Sequence, residues 1–140
     1  MIQRQQTLWL LISTLAGIFT FMFPFATGEK LMEKTGLREA AQLTAGSNFI
    51  ILLLTIACVG IAAVTIFLYK DRKLQIKLCL LGLLLSLLTI VLYFMDMRKL
   101  LSSTPALWAI LPLAVIIGFF MAFRGIRKDE KLVKSLNKLR

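Results

Sequence analysis

The chain has 140 residues, 59% of them hydrophobic, with a mean hydropathy of +0.83. Soluble domains hold roughly 45–50% apolar residues, and a soluble fold of this length could not enclose so much apolar surface. Seventeen Lys and Arg stand against seven Asp and Glu, a formal charge of +10, and histidine is absent, which removes the commonest acid–base and metal-binding side chain.

Four uninterrupted apolar stretches, 7–26, 49–69, 78–95 and 100–123, carry no Asp, Glu, Lys or Arg. Each is long enough to cross a bilayer, for which about 20 residues are needed and roughly 17 is the lower limit. A soluble bundle would need a charged face on every helix, and these have none. The expected fold is an all-α membrane protein, with four transmembrane helices in an antiparallel bundle. It forms one domain over 1–140, with spans at about 7–26, 48–69, 75–95 and 102–123, an outer loop at 27–47 and a tail at 124–140.

The first helix is expected to start near Thr7, with Trp9 at interfacial depth, and to end around Pro24. Its apolar run outlasts a signal-peptide core of roughly 7–15 residues, and Phe23, Pro24 and Phe25 make Ala26-Thr27-Gly28 a poor cleavage site. In the outer loop, 29–45 is rich in helix formers broken by Gly36. One or two short interfacial helices are expected there, with Leu31, Met32, Leu37 and Leu43 toward the membrane surface. Gly46-Ser47-Asn48 supplies a turn and an N-cap for the second span. Lys70-Asp71-Arg72-Lys73 forms a tight turn, after which the third span begins near Leu74 with Gln75 and Lys77 snorkelling. Pro105 is expected in the first turn of the fourth helix, and Pro112 inside it, where it frees the Trp108 carbonyl and kinks the helix.

Lys and Arg collect on the cytoplasmic side of membrane proteins. With the N-terminus inside, that side holds Arg4, Lys70, Arg72, Lys73, Lys77, Arg124, Arg127, Lys128, Lys131, Lys134, Lys138 and Arg140. The outer side holds Lys30, Lys34, Arg38, Arg98 and Lys99, offset by Glu29, Glu33, Glu39 and Asp96. Twelve against five places both termini in the cytoplasm. The basic stretches are short and lie where anionic headgroups attract them, so nucleic acid is not expected as a partner.

Each span carries small residues four apart: Ser13 with Gly17, Cys58 with Ala62, Gly82 with Ser86, and Ala114, Gly118 and Ala122 in series. Such faces let helix backbones approach closely, within one chain or between two. Ser13, Thr14, Thr20, Thr55, Thr65, Ser86 and Thr89 are the hydroxyls of the spans, expected to bond their own backbone or one neighbour. Cys58 and Cys79 form no C-x-x-C pattern and are read as reduced packing residues. No metal, cofactor or catalytic residue is expected.

The tail continues as a basic amphipathic helix. Leu132, Leu136 and Leu139 recur on one side, Lys128, Lys131, Lys134 and Lys138 on others, and Glu130 precedes Lys134 by four. Arg72, Lys73, Lys77, Arg127, Lys128, Lys131 and Lys134 are the residues expected to meet lipid headgroups or a protein partner.

Met1-Ile2-Gln3-Arg4 with Gln6, the run 72–79 (RKLQIKLC), the segment 109–113 (AILPL) and the run 124–135 (RGIRKDEKLVKS) together resemble a Bacteroidota family. Its members are small four-span inner-membrane proteins catalogued as a domain of unknown function. The resemblance covers essentially the whole chain and implies localisation and topology, with no known reaction. It also points to the cytoplasmic face, where Asp129 or Glu130 is expected to pair with Arg72 or Lys73.

The expected role is a structural or assembly component of a membrane complex. A small transporter or channel subunit for a lipid-like or uncharged solute is the second reading. A headgroup-level enzyme using Arg72, Lys73 and Asp129 is the third, and it lacks the usual His or carboxylate cluster.

Overall fold

A computed structural model describes residues 2–31 and 34–139, with side chains from Gln5 onward. The expectations placed on Met1, the Arg4 side chain, Met32, Glu33 and Arg140 lie outside what is described. The elements are α1 (Ile2–Met22), β1 (Ala26–Leu31), β2 (Arg38–Leu43), α2 (Phe49–Phe67), α3 (Arg72–Met97), β3 (Thr104–Pro105), a 3-10 turn (Leu107–Ala109) and α4 (Ile110–Lys138).

All four α-helices are long and apolar enough to cross a membrane. α1 packs on α2 and α4, and α3 packs on α2 and α4, so the four close into a ring, with the α1–α4 contact the most extensive. One end carries the start of α1, the end of α4 and the turn between α2 and α3. The other end carries the strands.

The ring is held by a seam on each helix whose buried positions alternate in steps of four and three. In α1 the seam is Gln6, Leu10, Ser13, Gly17 and Thr20, and in α2 it is Ile51, Thr55, Cys58, Ala62 and Thr65. In α3 it is Gln75, Cys79, Gly82, Ser86, Thr89 and Tyr93, and in α4 it is Val115, Phe119, Ala122, Ile126 and Asp129. Four-three spacing keeps one face of a helix turned to its neighbours along its whole length. Small and hydroxylated residues dominate it in α1, α2 and α3, so backbones approach closely and gain dispersion contacts, while α4 fills the space between with Val115, Phe119 and Ile126. Most of the other large apolar side chains point the other way. No more than 33% of any helix's most apolar window is buried, and Leu84, Phe67 and Ile110 stand outward.

The first outer segment is not helical. β1 pairs antiparallel with β2 from Ala26↔Leu43 to Leu31↔Arg38, and with β3 at Ala26↔Pro105 and Thr27↔Thr104, giving the order β2-β1-β3. The fold is therefore mostly helical rather than all-α, and a hairpin replaces the interfacial helices expected over 29–45. Local propensity favoured the helix, but tertiary hydrogen bonds outweigh it. β1 is bonded on both sides: Phe25 N–H donates to the Leu43 carbonyl at 2.7 Å, and Ala106 N–H to the Phe25 carbonyl at 2.9 Å. The buried Phe25 ring stacks on Tyr93 at 4.5 Å, and Gly36 turns the hairpin at φ +65°, which suits glycine. Leu31 and Leu37 are exposed, whereas Leu43 is buried under the sheet.

α4 also begins later than expected. Pro105 lies in β3, and Pro112 is the third residue of α4, preceded by the 3-10 turn, whose Ala109 N–H bonds the Ala106 carbonyl at 3.0 Å. The missing Pro112 N–H thus falls among first-turn donors that have no partner within the helix, and the expected mid-helix kink has no basis. Asn48 caps α2 as expected: its side-chain carbonyl accepts from Ile50 N–H at 3.2 Å, and its amide donates to Asp96 at 2.8 Å, tying α2 to the end of α3.

Candidate functional site

At the end with the chain termini, α4 outruns its neighbours. Its seam continues past the apolar stretch to Asp129, and α1 extends to meet it. Gln6 donates through its side-chain amide to the Asp129 carboxylate, and both side chains are buried. Gly125 leaves room for this: a Cβ there would stand 2.9 Å from Gln6 Cγ. On the other side of the ring, Gln75 does not snorkel. It is buried and donates to the Thr65 carbonyl at 3.0 Å, clasping α3 to α2.

Two grooves flank the emerging α4. One, of about 690 Å³, lies between α1 and α4 and takes in Trp9, Phe123, Arg124, Arg127, Lys128 and Lys131. The other, of about 460 Å³, lies between the α2–α3 turn and α4. It takes in Lys70, Asp71, Arg72, Lys73, Lys77, Glu130 and Lys134. The residues expected to meet headgroups or a partner are thus divided, with Arg127, Lys128 and Lys131 in the first and Arg72, Lys73, Lys77 and Lys134 in the second. The expected tie between Asp129 or Glu130 and Arg72 or Lys73 does not form. Asp129 is bonded to Gln6, and Glu130 pairs with Lys134 at 3.2 Å within its own helix. A partner one helical turn away costs less ordering than one across an open groove.

Past Lys131 every described residue of the tail is exposed. Leu132, Leu136 and Leu139 are 46%, 63% and 85% exposed, so the leucine stripe has no counterpart in this chain.

The small-residue faces turn inward against helices of the same chain. A Cβ on Gly17 would meet Val59 at 2.6 Å, and one on Gly82 the Phe119 ring at 2.5 Å. One on Gly118 would meet Ser13 Cβ at 2.8 Å and the Trp9 carbonyl at 2.9 Å. Cys58, Ala62, Ser86 and Ala122 are buried beside them and Ala114 is half-buried. Both cysteines are free and buried.

A cavity of about 20 Å³ lies mid-ring, lined by Ser13, Thr55, Cys58, Ser86, Thr89 and Tyr93 among others. That is space for about one water molecule. Four of its hydroxyl protons are committed to carbonyls: Ser13 to Val115 at 3.1 Å, Thr55 to Ile51 at 2.7 Å, Ser86 to Leu83 at 2.8 Å and Thr89 to Leu85 at 2.8 Å. Apart from the Cys58 thiol and the Tyr93 phenol, its lining carries no ionisable side chain. Among the described residues no three His, Cys, Asp or Glu side chains gather to hold a metal ion.

Sequence reasoning missed Gln6, Gln75 and Asp129 as packing residues. The signal was present: Gln6 and Gln75 extend the four-three pattern of their helices by one step beyond the apolar stretch, and Asp129 by two, after Ile126.

Among curated proteins and solved structures, nothing matches the chain. Residues 2–139 match the family described as Domain of unknown function (DUF4293), and the chain belongs to that family.

Proposed function

We propose that the protein is an integral component of a bacterial inner membrane, crossing it four times as an antiparallel bundle with both termini in the cytoplasm. In that setting it serves as a structural or assembly component of a membrane complex, not as an enzyme. The outward apolar surface supports the membrane placement, since exposed apolar patches on soluble monomers rarely exceed a few hundred Å². The excess of bases at the termini end supports the orientation.

The observation that carries the assembly role is the overhang of α4. Its leucine stripe is exposed beyond the bundle, while the small-residue faces are occupied inside it. An amphipathic helix presenting apolar residues at four- and three-residue spacing is suited to a groove on a partner protein, and its lysines to anionic headgroups. Full-length protein purified in mild detergent is expected to carry a stoichiometric partner that Leu132→Glu with Leu136→Glu releases without loss of helicity. A wild-type protein without such a partner, or a partner retained by the variant, contradicts the assembly role.

The second reading, a small transporter or channel subunit for an uncharged or lipid-like solute, draws on the hydroxyl-lined cavity. Its one-water size favours assembly over transport. The third reading needs Asp129 beside Arg72 and Lys73, and Asp129 is instead buried against Gln6.

A further inference from the structure

We infer that the groove between α1 and α4 is a binding site for an anionic phospholipid, with Arg124, Arg127, Lys128 and Lys131 receiving the headgroup phosphate and Trp9 and Phe123 receiving the start of an acyl chain. This rests on the membrane placement proposed above. Three observations support it. First, among the described residues no carboxylate lines this groove. Of the two acids next to its bases in sequence, Asp129 is buried and bonded to Gln6, and Glu130 pairs with Lys134 in the opposite groove. The opposite groove differs in kind, because Asp71 and Glu130 stand among its bases.

Second, the groove is amphiphilic along its length. Trp9, Met121 and Phe123 occupy the part next to the apolar stretch of the ring, and the four bases follow along α4. A free phosphate ion would use only the charged part, whereas a glycerophospholipid matches both. Third, the arginines are placed by aromatic rings at the same level. Arg127 lies over Phe123 at 5.8 Å and Arg124 over Phe120 at 5.9 Å, so part of the ordering needed for binding is already made. Four cations in one groove favour a headgroup carrying two phosphates over one carrying a single phosphate.

The test is native mass spectrometry of full-length protein released from phosphatidylcholine nanodiscs doped with cardiolipin or phosphatidylglycerol. Wild type is expected to retain one anionic lipid, cardiolipin more firmly than phosphatidylglycerol, and to lose phosphatidylcholine. Arg127→Gln with Lys128→Gln, both exposed positions, should lower cardiolipin retention by about tenfold or more, since each base near anionic lipid contributes on the order of 1 kcal/mol. Arg72→Gln with Lys73→Gln should leave retention nearly unchanged. Equal losses in the two pairs, or equal retention of phosphatidylcholine, overturn the site. Competition by millimolar inorganic phosphate that matches cardiolipin identifies a free-anion site instead and overturns the lipid assignment. Failure of the wild type to enter nanodiscs at all is a separate outcome: it strikes the membrane placement and the lipid site with it.

Discussion

At the residue scale, close helix contact depends on what is missing from glycine. Gly118 faces the backbone carbonyl of Trp9, which cannot rotate away, so an added methyl must push α1 from α4. Gly118→Ala is expected to destabilise by about 1–3 kcal/mol through overpacking, despite the better helix propensity of alanine. Gly60, where an added methyl would meet nothing within 4 Å, is the control, and Gly60→Ala should leave the unfolding midpoint in mild detergent unchanged or slightly higher. The Gln6–Asp129 bond has its own signature. Asp129→Leu strands a buried amide and should cost about 1–3 kcal/mol, whereas Gln6→Leu with Asp129→Leu should recover much of the loss. Additive losses in that cycle would contradict a direct bond. The four apolar helices were legible residue by residue, because an apolar run is a local pattern. The partner of Asp129 was not, since it lies 123 positions away in sequence and charge alone pointed to the nearer-seeming bases of the α2–α3 turn.

At the element scale, the length of the uninterrupted apolar stretches identified all four helices, and caps and prolines placed their ends less well. α1 already runs from Ile2, where the apolar stretch alone suggested Thr7, because Gln6 is drawn into the seam by Asp129. The hairpin was illegible for a physical reason. Residues 38–43 (REAAQL) have helical propensity, and only their pairing with β1, itself bonded to β3 from a distant loop, selects the strand. Asn48 was legible as a cap, while its second bond to Asp96 was not. Asn48→Ala removes both and should cost about 1–2 kcal/mol by thermal unfolding in detergent. Asn48→Ser, which can still cap but is too short to reach as far as the amide does, should restore only part of that loss.

At the scale of the whole molecule, the helices are built inside out relative to a soluble bundle. Small and hydroxylated residues fill much of the seams of α1, α2 and α3 and most large apolar residues face outward, an arrangement suited to apolar surroundings. Composition made legible four helices long and apolar enough to cross a membrane. Which end faces the cytoplasm rests on twelve bases against five. The direct test replaces Cys58 and Cys79 with alanine and adds one reporter at a time, Lys34→Cys in the hairpin loop or Ser135→Cys in the tail. Spheroplasts are then treated with a membrane-impermeant maleimide before and after permeabilisation. Four passes with both termini inside predict that the Lys34→Cys protein reacts in intact spheroplasts and the Ser135→Cys protein only after permeabilisation. Labelling of both in intact spheroplasts, or of Ser135→Cys alone, contradicts it.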